Sequence, residues 1–164
     1  MSKRDKRLQA QLLQMAKRQA MAERGARTFA ITIQGHQQID GEQTTLLGLA
    51  YWGALDALRH GNGTDADVDT IASAVNVSLI LAERTAGGDA ALPIIKSAQD
   101  ALMRAKARHE RYGSYGLDGL GLQAISDALD IHEQQVALHK SGELESALLE
   151  AIKRMRNGYI LEVA

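Results

Sequence analysis

Imidazole is the side chain with which this chain could most readily bind a metal ion or move a proton, because the sequence contains five histidines and no cysteine. They are His36, His60, His109, His132 and His139. Two histidines that bind one metal ion from a single helix stand three or four residues apart, and no pair here has that spacing. His132 and His139 would lie roughly 10.5 Å apart along a helix. The pattern predicts no metal site.

Other short motifs also fail to indicate catalysis. Asp65, Asp67 and Asp69 alternate like the first ligands of a calcium loop, but the central glycine and the closing glutamate are absent. Because these residues follow Thr64, they predict a capped helix start. The glycines of 116–121 follow a helical segment rather than a strand, which argues against a dinucleotide-binding turn. We therefore expect a protein that is not an enzyme and that binds no cofactor.

Positive charge is concentrated in two parts of the chain. Residues 1–27 carry eight basic and two acidic groups, a formal +6, whereas the whole chain carries −1, so the remainder is acidic. A second basic cluster precedes the glycine-rich stretch. We predict that both clusters contact a partner, which is nucleic acid, an acidic protein or a second copy of the chain. The residues concerned are Lys3, Arg4, Lys6, Arg7, Lys17, Arg18, Arg104, Lys106, Arg108 and Arg111.

The segment 124–136, AISDALDIHEQQV, resembles a helix-turn-helix unit with Asp130 at the turn and Val136 packed inward. The resemblance implies a DNA-binding regulator whose recognition helix begins with His132, Glu133, Gln134 and Gln135. The same segment also fits one continuous amphipathic helix. In that case an apolar face would be formed by Leu122, Ile125, Leu129, His132, Val136 and His139.

Helices must position these groups, since the chain has one proline and long stretches of helix-forming residues. The sequence predicts an all-α bundle of five or six helices. Beyond a basic helical arm at 1–27, residues 28–164 are expected to form one helical domain with a glycine-rich hinge at 113–121. Alternating apolar residues predict that 28–34 and 159–163 pair as a small two-stranded β element. The helices of the domain are predicted at 44–59, 64–85, 89–112, 122–140 and 143–156, the third of them capped by Asp89.

The predicted helices 44–59 and 64–85 are almost uncharged, which makes them the expected core pair and favours a homodimer. No apolar run is long enough to cross a membrane, and the absence of cysteine fits the cytoplasm. We expect a non-catalytic helical interaction protein that binds and modulates a protein partner. It has the general look of accessory or inhibitor proteins encoded by phages or mobile elements. A helix-turn-helix transcriptional regulator is the alternative.

Overall fold

The computed structural model describes residues 41–158, which form five α-helices and one short 3-10 turn. Within these residues there is no strand, and the all-α class is confirmed. The basic arm at 1–27 and the predicted β element at 28–34 and 159–163 lie outside the described residues. The helices are α1 Gly41–Arg59, α2 Asp65–Arg84, α3 Leu92–Tyr112, α4 Gly119–Leu138 and α5 Ser141–Arg156, and the 3-10 turn is Gly88–Ala90.

Helix α2 is the centre of the bundle, because it packs against all four other helices. Every residue from 71 to 82 is buried, as the uncharged sequence of this stretch predicts. Helix α4 contacts α1, α2 and α3, whereas α5 packs mainly on α2. One buried polar pair joins α2 to α3, since the Gln99 side-chain amide donates to Asn76 Oδ1 at 2.8 Å. The core therefore consists mainly of aliphatic side chains with a few satisfied polar groups.

Most helix ends lie within three residues of the predicted positions, and one predicted cap is wrong. Thr64 caps α2 through a reciprocal capping box: its backbone N–H donates to the Asp67 carboxylate at 2.8 Å, and its hydroxyl accepts from the backbone N–H of Asp67. Pro93 lies in the first turn of α3 as predicted. The predicted cap at Asp89 is wrong, because this residue belongs to the 3-10 turn and α3 begins only at Leu92.

The glycine-rich stretch 113–121 is a shorter connection than predicted, because α4 begins at Gly119. The loop is fixed to the bundle by Tyr115, which is buried. The Tyr115 ring stacks on His109 with a centroid distance of 4.1 Å, and its hydroxyl donates to Asp65 Oδ1 at 2.7 Å. Burial, together with that hydrogen bond, raises the pKa of Tyr115 above its usual range. The loop is thus anchored to α3 and to the start of α2.

Candidate functional site

The turn that the helix-turn-helix resemblance implies at Asp130 does not form. Helix α4 continues without interruption from Gly119 to Leu138, which is the arrangement that the alternative interpretation predicted. No glycine or proline interrupts the segment near Asp130, and burying Ile125, Leu129 and Val136 favours a continuous helix. The prediction of a helix-turn-helix within 124–136 is therefore wrong, and the alternative prediction of one continuous helix is confirmed.

His132, proposed above as a base-reading residue, lies instead in the protein interior with no exposed surface. Its Nδ1 atom is 3.0 Å from the Ser78 hydroxyl of α2, and its Nε2 atom is 3.4 Å from the Tyr51 hydroxyl of α1. The Tyr51 ring also meets the imidazole edge-on, at a centroid distance of 5.2 Å. Burial lowers the pKa of His132 to about 4, so the imidazole is neutral at pH 7.

This set of a serine, a histidine and a tyrosine could move a proton, but it cannot reach a substrate. Ser78 and His132 have no exposed surface, and Tyr51 is buried as well. Burial raises the pKa of Tyr51, and the negative charge of Glu133 raises it further, so the phenol also stays neutral. The cluster therefore joins α1, α2 and α4 through neutral polar groups.

Two further residues of the predicted recognition helix also contact the bundle. The indole N–H of Trp52 donates to Glu133 Oε1 at 2.7 Å, and the side-chain amide of Gln135 donates to the Ser78 carbonyl at 3.2 Å. Gly48 of α1 permits this approach, since a Cβ atom there would lie 3.1 Å from the Glu133 carboxylate. Gln134 is the exposed member of the four. The segment thus holds α4 against its neighbours.

We expect Glu133→Ala to lower the free energy of unfolding by about 1.5 kcal/mol, because it removes a charge-assisted hydrogen bond from a half-buried indole. Trp52 is the single tryptophan of the chain, so its emission reports the change directly. Urea unfolding followed by fluorescence measures both effects. Gln134→Ala, one residue further along the helix and exposed, is the matched control and should alter neither. A Glu133→Ala protein with unchanged emission and stability would contradict the contact.

The basic cluster of α3 is divided between two faces of the helix. Arg104, Arg108 and Arg111 follow one another at spacings of four and three residues and share a face, whereas Lys106 lies on another side. Arg104 Nε is 3.4 Å from Asp118, the residue that caps α4. The pKa of the Asp118 carboxyl is lowered, chiefly by the hydrogen bond from the backbone of α4 and then by Arg104.

Arg108 also contacts the loop between α3 and α4. A Cβ atom at Gly116 would lie 3.0 Å from Nη1 of Arg108, so the glycine leaves room for the guanidinium. Arg111 lies over the Tyr112 ring, 5.3 Å from its centroid. The arginine face therefore supports the α3–α4 connection as well as carrying charge. The other six predicted contact residues belong to 1–27, outside the described part.

A groove of about 400 Å³ lies between the exposed sides of α3 and α4. Two large apolar side chains that line the groove are exposed to solvent: Ile94 is 38% exposed and Leu120 is 83% exposed. The charges beside them have both signs, with acidic groups at Asp100 and Asp127 and a basic group at Arg104. The lining is completed by Ser97, Gln123 and Ala124. Exposed apolar side chains ringed by polar groups are typical of interaction sites.

Sequence reasoning missed this groove, although it named Arg104 at its edge. Ile94 falls outside the buried stripe of α3, and Leu120 stands in the glycine-rich stretch interpreted as a hinge. The available signal was the presence of large apolar residues out of phase with the core-facing pattern.

A second groove lies between α5 and the end of α2, and two of its lining residues, Arg84 and Glu150, already have partners within the bundle. Its lining consists of Arg84, Gly142, Glu145, Ser146, Leu149, Glu150 and Lys153. Arg154 contacts Glu83 at 2.6 Å and Glu150 at 2.9 Å, and the Arg84 guanidinium donates to Ser146 at 3.2 Å. The hydrogen bond from Arg154 is the main reason that the pKa of Glu150 is lowered. Because two exposed large apolar side chains line the α3–α4 groove and only Leu149 does so here, the α3–α4 groove is the stronger candidate site.

No protein-family model, curated protein or solved structure matches the chain. Within residues 41–158, no three histidine, aspartate or glutamate side chains come close enough together to hold a metal ion. Over the same residues, none of the helices is both long enough and apolar enough to cross a membrane.

Proposed function

We propose that this chain is a non-catalytic interaction protein that binds a helical segment of a partner protein in the α3–α4 groove and thereby modulates that partner. The observation that carries the proposal is the exposure of Ile94 and Leu120 on two adjacent helices, over a groove with charges of both signs. Covering exposed leucine and isoleucine side chains with a partner removes apolar surface from water and so stabilises the complex. The origin in a phage or mobile element and the cytoplasmic location remain predictions.

The spacing of the two apolar side chains suits an amphipathic helix. Helices α3 and α4 are joined by a six-residue loop, and a Cβ atom at Gly121 would lie 3.3 Å from Ala101. Leu120 therefore lies level with Ala101, while Ile94 is seven residues away along α3, or roughly 10 Å. Apolar residues at positions i and i+7 of a helix have the same separation, so such a segment can contact both.

The charges indicate a protein segment rather than a nucleic acid. Asp100 and Asp127 line the groove and would repel phosphate groups. Residues 41–158 as a whole carry sixteen acidic and eleven basic groups, which also disfavours a polyanion. A helical ligand can instead place a basic residue near Asp127 and an acidic residue near Arg104. DNA binding, the alternative from the sequence, is an outcome of the test.

The test is selection from a displayed library of amphipathic helical peptides, followed by measurement of the dissociation constant of the selected peptides. We expect Leu120→Asp to weaken binding at least about 30-fold, because it places a carboxylate against an apolar contact worth about 2 kcal/mol. Leu138→Asp is the matched control, since Leu138 is 82% exposed on the same helix, roughly 27 Å from Leu120. It should leave the affinity unchanged.

Peptides that lose affinity equally with both substitutions, or with neither, would contradict a site in the groove. The same variants are then titrated with labelled duplex DNA at several salt concentrations. Tight, strongly salt-dependent binding by the full chain would favour the regulator alternative. Peptide binding without DNA binding supports the interaction protein.

A further inference from the structure

The side of α1 that faces away from the bundle is apolar over its middle turns. Leu46 and Leu49 are 55% and 66% exposed, and Ala50 and Gly53 beside them are exposed as well. These residues recur at spacings of three and four, so they form a single stripe. This stripe is separate from the α3–α4 groove and calls for a separate explanation.

Nothing within the described residues requires a glycine at position 53. It lies in the interior of α1, its φ angle is not positive, and a Cβ atom built on it would meet no heavy atom within 4 Å. Glycine destabilises a helix interior relative to alanine. A neighbouring helix that approaches closely at this position would account for the residue, because only glycine lets two helix backbones come so near.

The middle of the stripe is complementary to itself when a second α1 lies antiparallel to it. If Tyr51 of one copy is level with Tyr51 of the other, Leu49 lies opposite Gly53 and Glu42 lies opposite His60, while Leu46 is level with Asp56, which lies on the flank of the stripe. The large Leu49 side chain then faces Gly53, which has no side chain. The Glu42 carboxylate faces the His60 imidazole, which Asp56 already contacts at 3.3 Å. In a parallel pair, by contrast, Leu49 would meet Leu49 and Glu42 would meet Glu42, with like charges together.

We infer that two copies of this chain associate through the exposed faces of their α1 helices, antiparallel and related by a two-fold axis near Tyr51. Because of the two-fold axis, each of these contacts occurs twice in the dimer, so a short stripe forms twice as many contacts as it contributes from one copy. The sequence predicts a homodimer in general terms; the geometry of α1 gives that dimer an interface and a register. The inference does not depend on the partner that occupies the α3–α4 groove.

Disulfide cross-linking tests the register, and the chain is suited to it because it contains no cysteine. Leu49→Cys and Gly53→Cys are prepared as separate proteins, and each is oxidised alone and as an equimolar mixture. The antiparallel pair places residue 49 beside residue 53, so the mixture should give the cross-linked dimer far more readily than either protein alone. Cross-linking of each variant mainly with itself would indicate a parallel pair and would overturn the inference.

Gly53→Ala provides a second test, because its effects on the fold and on association have opposite signs. The added methyl group meets nothing in the described chain and favours the helix, so the monomer should unfold at a higher urea concentration. In the dimer the methyl group stands against Leu49, and the dissociation constant measured by sedimentation should rise about tenfold. Gly119→Ala, also in open space, is the control and should leave the dissociation constant unchanged.

Charge reversal completes the set. Glu42→Lys should weaken the dimer because it removes the carboxylate that faces His60, and adding His60→Glu in the same chain should restore the association through a Lys–Glu contact. A wild-type chain that sediments as a monomer at every concentration, with no cross-linking in the mixture, would overturn the inference.

Discussion

The free energy of unfolding should fall by about 3 kcal/mol between pH 7 and pH 4 because of a single residue, His132. The folded protein keeps this imidazole neutral, and burial lowers its pKa to about 4. In the unfolded chain the same group takes up a proton near its ordinary pKa of about 6.5. The stabilisation is therefore complete above pH 6.5 and is lost as the pH falls from there toward 4.

Urea unfolding at a series of pH values, followed by Trp52 fluorescence, measures this dependence. His132→Gln removes the titrating group and should flatten the curve between pH 6.5 and 4, whatever stability it loses at pH 7. Gln134→Ala is the matched control, because it lies on the exposed side of the same helix and carries no titrating group, and it should leave the curve unchanged. The lowered carboxyl pKa values of Asp118 and Glu150 reduce stability only as the pH approaches the ordinary carboxyl pKa of about 4 and below, and they do so equally in the wild type and in His132→Gln. A curve that keeps its slope in His132→Gln would show that His132 is not the cause.

Gly88→Ala should lower the free energy of unfolding by about 3 kcal/mol, one of the largest single-residue effects in the described chain. A Cβ atom at this position would overlap the carbonyl oxygen of Ala82 and would lie 2.9 Å from its Cα atom. Because these are backbone atoms of α2, no side-chain rotation can relieve the overlap. The turn after α2 would have to move, and with it the start of α3 that carries Ile94.

Denaturant unfolding by circular dichroism measures this loss, with Gly142→Ala as the matched control. Gly142 lies in the first turn of α5, and a Cβ atom there would meet nothing within 4 Å. Its replacement should therefore be neutral or slightly stabilising. Equal stability of the Gly88→Ala and wild-type proteins would mean that the 88–90 turn is not packed as described.

The helices were largely predictable because several of their ends carry a local signal. The Thr64 capping box and Gly113, with a φ angle of 75°, mark ends that depend on a few neighbouring residues. The central role of α2 was also predictable, since its uncharged stretch permits burial on all sides. Asp89 shows the limit of such reasoning: it has the right residue type for a cap, but the chain makes a 3-10 turn there.

The candidate site could not be predicted in the same way, because it depends on how helices distant in sequence pack together. The sequence near Asp130 permits both a turn and a continuous helix, and burial against α2 and α1 decides between them. The hydrogen bond between Trp52 and Glu133 joins residues 81 positions apart, which no local pattern reveals. The exposure of Leu120 likewise depends on where α3 ends and α4 begins.

The most direct test of the proposed function is a map of where a selected helical peptide binds. Backbone amide chemical shifts of the isotope-labelled protein are recorded as the peptide is added. We expect the largest shifts at residues 94–104 and 120–127, with little change in α5. Shifts centred on α5 or the stripe of α1, or spread evenly over the bundle, would contradict a binding site in the α3–α4 groove.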